Sequence, residues 1–294
     1  LILEGVVTGY SGLPVVDAER FGGVPITISA DWCLLSGFVA KNALYDAGIY
    51  VASDYNTISG NTVSGNRYGI FSCAGSNGNT IGNNIASGNY IGIYLSSNIG
   101  NTLSGNTASG NDYGILLEES IRNTLSSNTA TGNDYGIWLR SSSSQNTLSG
   151  NTANGNSFYG IYLNSASNNN YISGNTASDN GGNGIRLSSS SSNTLSGNTA
   201  SGNYGNGIFL ESSSSSNTLS GNTATDNGYD GIRIAYCTDN MIESNTATDN
   251  AADGINLSFS NNNVLTDNKA TGSYSGIFIY YSSSNTLSSN TLNG

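Results

Sequence analysis

Four aspartates fall at matching places in two neighbouring phrases of the chain, Asp226-Asn-Gly-Tyr-Asp230-Gly and Asp249-Asn-Ala-Ala-Asp253-Gly. In phase, Asp226 meets Asp249 and Asp230 meets Asp253. Carboxylates stacked in this way repel unless a cation or hydrogen bonds offset the charge. An oxygen-only ligand set with no imidazole suits calcium, the one cofactor these residues suggest. The plainer alternative is four solvated turn aspartates and no cofactor. Two carboxylates can also cleave a glycosidic bond, but a directly stacked pair stands too close for that geometry. Histidine is absent from all 294 residues, so no Ser-His or Cys-His nucleophile pair can form. The expectation from these residues is that the chain is not an enzyme.

The sulfur and amide chemistry is equally sparse. Three cysteines are an odd count. Cys73 and Cys237 lie many repeats apart, beyond disulfide reach within one rod. They are read either as free thiols, with Cys33, or as an inter-chain disulfide through Cys73 or Cys237. One N-glycosylation pattern occurs, Asn256-Leu-Ser258.

The elements that must position these groups come from a repeated phrase. A clean copy is Asn101-Thr-Leu-Ser-Gly-Asn106-Thr-Ala-Ser-Gly-Asn111-Asp-Tyr-Gly114-Ile-Leu-Leu117. The Gly-Ile mark recurs from Gly48 to Gly276 at gaps of 21 to 24 residues, and an Asn-Thr-Leu mark runs in phase from Asn56 to Asn285. A period in the twenties means a solenoid. Frequent Gly and Asn, with no 3.6-residue apolar stripe, exclude helices. Short bursts of alternation give three strands per coil, with Leu103, Ala108, Ile115 and Leu117 inward. The fold expected is an all-β, single-stranded parallel β-helix of about 22–24 residues per coil. Stacked Asn amides at the corners can bond to the copies above and below. Residues 1–50 read as the first, less regular coils and 51–294 as regular ones, in one continuous domain. Trp32–Val39 aligns with Tyr55–Thr62.

The residue after Gly-Ile should point outward. Tyr50, Phe71, Tyr94, Trp138, Tyr162, Phe209 and Phe278 then form a long exposed aromatic ribbon, the mark of an assembly or carbohydrate surface.

The phrase Asn56-Thr-Ile-Ser-Gly-Asn-Thr62 followed by Tyr68-Gly-Ile70 resembles the right-handed β-helix repeats of NosD-like proteins. The same repeats fill many surface proteins of methanogenic archaea. The resemblance implies a right-handed coil, as does the usual rule for parallel crossovers. It also links the chain to copper handling, although no His, one Met and three separated Cys leave copper few ligands. The Gly-His-Gly and Arg-Ile-Lys motifs of the β-helix pectinases are missing.

A net charge of −11 with eight scattered Lys and Arg excludes nucleic acid as a partner. No apolar run is long enough for a membrane-spanning helix. Abundant Asn, Ser, Thr, Gly and Tyr with few charges suggest an extracellular or cell-surface protein. The first functional expectation is a structural subunit of a sheath, surface layer or fibre. It would assemble with copies of itself through open helix ends and the aromatic ribbon. The alternative is a carbohydrate-binding or carbohydrate-cleaving β-helix, with cell-wall polysaccharide as partner. A Thr ladder suited to ice would need a flat Thr-x-Thr face, which Asn-Thr-Leu-Ser does not supply.

Overall fold

The computed structural model describes residues 1–4, 12–19 and 23–293. The chain winds as a right-handed parallel β-helix with up to three short strands per coil. Sheet A has 13 strands, from Ile2–Glu4 to Thr286–Ser288, and sheet C has 12, from Ile26–Ile28 to Ser275–Tyr280. Sheet B is in two pieces of 6 and 3 strands, joined by single bridges through Thr152, Thr176, Thr199 and Thr223. Register follows the repeat: Leu103 pairs with Leu125, Ala108 with Ala130 and Ile115 with Ile137. The first coils keep the same phase, with Leu34 on Thr57 and Val39 on Thr62.

The core is a file of small apolar layers. Leu103, Ala108, Ile115 and Leu117 are all fully buried, as are their apolar equivalents in the coils from Ile58 to Ala270. Each buried Leu or Ile side chain contributes about 1.5–3 kcal/mol by leaving water. The Gly-Ile glycine is needed because the chain passes close to the next coil there. A Cβ on Gly136 would lie 2.5 Å from the Gly160 carbonyl and 3.1 Å from the Ala153 methyl.

Polar columns line this core. Asn128 shows the pattern. Its Oδ1 accepts from the Asn106 main-chain N–H at 3.0 Å and from Asn106 Nδ2 at 2.9 Å. Its Nδ2 donates to the Leu103 carbonyl and to Asn151 Oδ1, both at 3.0 Å. Every hydrogen-bonding site on the amide is occupied, so a fully buried Asn carries no unpaired group. Three such columns start at Asn56, Asn61 and Asn66, and their Oδ1 atoms cap the amides of Cys33, Phe38 and Ala43 in the coil before. A fourth column is mostly serine, including Ser120, Ser143, Ser190 and Ser260. Corners are turned by residues with left-handed backbone, often Gly: Gly132 has φ of 64°, and Asp226 and Asp249 take the same place at 58° and 61°.

Candidate functional site

The outer face of sheet C carries the densest set of side chains able to hold a ligand. Three columns run along it. The leading column precedes the Gly of Gly-Ile, the central column follows the Ile, and the trailing column lies two residues further on.

The central column holds Tyr50, Phe71, Tyr94, Trp138, Tyr162, Phe209 and Phe278, so all seven expected residues share one face. They are not the open ribbon the sequence suggested. Tyr94 is buried, Phe278 alone is well exposed, and the other five are half-buried. The rings cover one another. Phe71 stacks on Tyr94 at 4.9 Å and Trp138 on Tyr162 at 5.6 Å, while Tyr68, Tyr113 and Tyr135 of the leading column fill the gaps. Tyr68, Phe71, Tyr94, Tyr113 and Trp138 make, with Ile91 and Leu116, a small second core laid on the outside of the sheet. Coil-to-coil stacking turns ring edges and hydroxyls outward, so the strip offers hydrogen bonds more than flat faces.

Charged groups are set into the same strip in pairs. Arg140 Nε lies 2.9 Å from Glu118, and the Tyr94 hydroxyl donates to Glu118. Burial pushes the Glu118 carboxyl up, but Tyr94 and Arg140 together hold it below its ordinary value. Burial and the Glu118 partner push Tyr94 up to about 12. Two coils on, Arg186 bonds Glu211 and the Tyr159 hydroxyl, with its guanidinium 5.4 Å from the Tyr162 ring centre. Each arginine thus has both a carboxylate and an aromatic neighbour.

The exposed aromatics that sequence reasoning missed stand beside this face. Tyr90, Phe158, Tyr204 and Tyr229 lie at the corner leading into sheet C, at 46%, 48%, 73% and 53% exposure. The signal was available: an aromatic one or two residues after the third corner Asn, as in Asn89-Tyr90 and Asn203-Tyr204. On the opposite corner Tyr236, Phe259 and Tyr281 stack in parallel at 4.9 and 5.3 Å and are also exposed. Between the two corners the floor turns polar. Arg233 and Asn256 occupy the central column, Asp230 and Asp253 the leading one.

These aspartates explain the acidic phrases without an ion. Asn183, Asn206, Asp230 and Asp253 form a short ladder in which a side-chain oxygen of each of the first three accepts the next coil's amide N–H, at 2.8, 3.0 and 3.0 Å. Arg233 lies 3.8 Å from the second oxygen of Asp230, and Asn256 Nδ2 donates to Asp253 at 3.0 Å. Burial nevertheless pushes the Asp230 carboxyl above its ordinary value. Asp226 and Asp249 are exposed at a different corner, so the four do not converge on one point. Among the described residues no group of three or more His, Cys, Asp and Glu could hold a metal ion.

Two modification readings are corrected by burial. Cys237 sits in the serine column, fully buried, and burial pushes its thiol up to about 12. It cannot reach a second chain, and Cys73 is left as a half-buried free thiol. Asn256 is a buried strand residue whose amide is bonded to Asp253 and Ser258, so a glycan has no access to it.

The repeat and the handedness agree with comparison to known families. The family described as periplasmic copper-binding protein (NosD) matches residues 23–152 and, overlapping, 88–223; a right-handed β-helix region matches 166–292. The chain belongs to the NosD family. Copper donors of this member do not fit the family's description. Its single Met241 is exposed on sheet A, its three cysteines are free and mutually distant, and it has no histidine. No curated protein matches the NosD-family chain in sequence.

Solved structures do match it in shape. The A-module of the Azotobacter vinelandii mannuronan C-5 epimerase AlgE6 superposes with a TM-score of 0.71 at 15% identity, covering 93% of this chain and 91% of that one. The Dettilon tailspike protein gives 0.72 at 16%, covering 95% and 68%. A mutant form of the periplasmic alginate epimerase AlgG gives 0.67 at 15%, covering 94% and 84%. At such identities the likeness shows the fold. It also corrects the expectation that the chain is not an enzyme. That expectation rested on a missing histidine and missing pectinase motifs, yet two of these rods are epimerases, so the architecture itself hosts catalysis.

Proposed function

We propose that this NosD-family member is a carbohydrate-binding β-helix protein that holds a polysaccharide lengthwise on the outer face of sheet C. One observation carries the reading. Around Arg233 a polar floor, in which its guanidinium is the exposed hydrogen-bonding group, lies between two exposed aromatic corners, Tyr204 and Tyr229 on one side and Tyr236 and Phe259 on the other. Sugars are bound by this combination, since rings pack on C–H faces while a guanidinium takes hydroxyls. The face is narrow across the strands and on the order of 50 Å long down the axis, the proportions of an extended chain. The family's description and the alginate epimerase's title name periplasmic proteins, which supports work outside the cytoplasm, at the cell surface or beyond it.

Self-assembly into a sheath or fibre is the weaker reading. It leaned on open helix ends and an aromatic ribbon, and most of that ribbon is packed on itself. Cleavage or epimerisation of the bound chain remains a separate outcome of the test, since Asp230 and Asp253 are buried beneath the face. Affinity electrophoresis through gels cast with polysaccharides tests capture, and product analysis of the same mixtures tests turnover. Retardation by at least one polymer, lost in the Tyr204→Ala/Tyr229→Ala variant, is expected. Unchanged mobility in every polymer would end the proposal.

A further inference from the structure

We infer, resting on the sugar-binding reading above, that the polysaccharide held on sheet C is uncharged. The argument is charge complementarity along the face. Among the described residues its arginines are Arg140, Arg186 and Arg233, and each stands against a carboxylate of the same face: Glu118, Glu211 and Asp230. Asp253 adds a fourth carboxylate, so the strip carries more negative than positive charge. Along the described part of the rim, Arg67 shares its place in the repeat with Asp46, Asp112 and Asp134, which keeps the sign negative. The whole chain sets 8 basic against 19 acidic residues.

A uronate or sulfated polymer laid on this face would bring its anions beside Glu118 and Glu211, and over the buried carboxylates Asp230 and Asp253. The guanidiniums that could receive those anions are already neutralised and half-buried against aromatic rings. A neutral chain meets the same groups as a fixed set of donors and acceptors. Paired Arg and Glu side chains hold each other rigid, and each presents its remaining hydrogen-bonding positions to sugar hydroxyls. The coil rise of about 4.8 Å is close to the rise of one pyranose along an extended 1,4-linked chain, so successive coils address successive sugars. This sets the chain apart from its alginate-epimerase neighbours in substrate charge while it shares their fold.

The test is affinity electrophoresis of the full chain in gels containing xyloglucan or galactomannan, and separately alginate or polygalacturonate, each at low and high salt. Retardation by a neutral polymer, unchanged by salt, is expected. It should weaken about tenfold in Tyr204→Ala/Tyr229→Ala, two exposed positions, with an unchanged circular dichroism spectrum as the control for folding. Retardation by the acidic polymers alone, relieved by salt, overturns the inference while keeping sugar binding. Retardation by none of the four removes the sugar-binding reading itself.

Discussion

At the scale of single residues the fold depends on amides that have no spare bonding capacity. Asn128→Ala would strip the Leu103 carbonyl and the Asn106 amide of their partners in a dry interior. Leaving such groups unpaired costs about 1–3 kcal/mol each, so a loss of roughly 2–4 kcal/mol is expected in denaturant unfolding. Asp230 predicts the opposite sign. Its carboxyl is raised in the folded state, so the stability linked to its protonated form is complete at low pH and lost as pH rises through the folded value. Asp230→Asn, a side chain the ladder already accepts at Asn206, should therefore raise Tm at neutral pH. The gain should shrink as pH falls toward the ordinary carboxyl range, which a Tm series across pH would show. Cys237 should resist thiol reagents until the protein unfolds, while Cys73 and Cys33 react first, as mass spectrometry of labelled protein would reveal.

At the scale of elements the strands are too short to stand alone, and the glycines let them close up. Gly136→Ala places a methyl 2.5 Å from a main-chain carbonyl that cannot move without displacing the next coil, so about 3 kcal/mol should be lost. Gly155→Ala meets no neighbour and only takes on a left-handed φ of 61°, so about 1 kcal/mol is expected. Thermal melts of the two variants side by side separate crowding from backbone strain. Both effects belong to features readable in the sequence. The recurrent Asn announced the ladders, and the Gly-Ile mark gave the strand, the register and the seven outward rings. What the sequence hid was how those rings treat each other. Tyr94 is buried by Phe71, Tyr68 and Glu118, contacts that exist only between coils. The acidic phrases misled for the same reason: Asp230 is satisfied by the Asp253 amide, a bond across coils that no single repeat displays. Tyr204 and Tyr229 were overlooked because they lie off both marks, inside the insertions that widen one corner.

At the scale of the whole molecule each coil touches only its neighbours, so stability is a sum of local terms. In this chain the outermost rungs bury least, with Leu287 and Leu292 at 41% and 49% exposure. Hydrogen exchange should therefore be fastest in the coils around Ile2 and Leu292 and slowest around Leu125 to Ile185; uniform protection would contradict nearest-neighbour stacking. The asparagine columns carry one more implication. Their rungs are interchangeable, so the ladder cannot distinguish one floor of the building from the next. Excising residues 102–123 would set Asn101 directly before Thr124 and return Asn84 to a partner of the same kind, Asn128. What numbers the floors is the irregular outer decoration: Glu118 with Arg140, Arg186 with Glu211, and Arg233 with Asp230. Gene slippage can lengthen or shorten such a rod by whole storeys, while its outer wall preserves the address of each one.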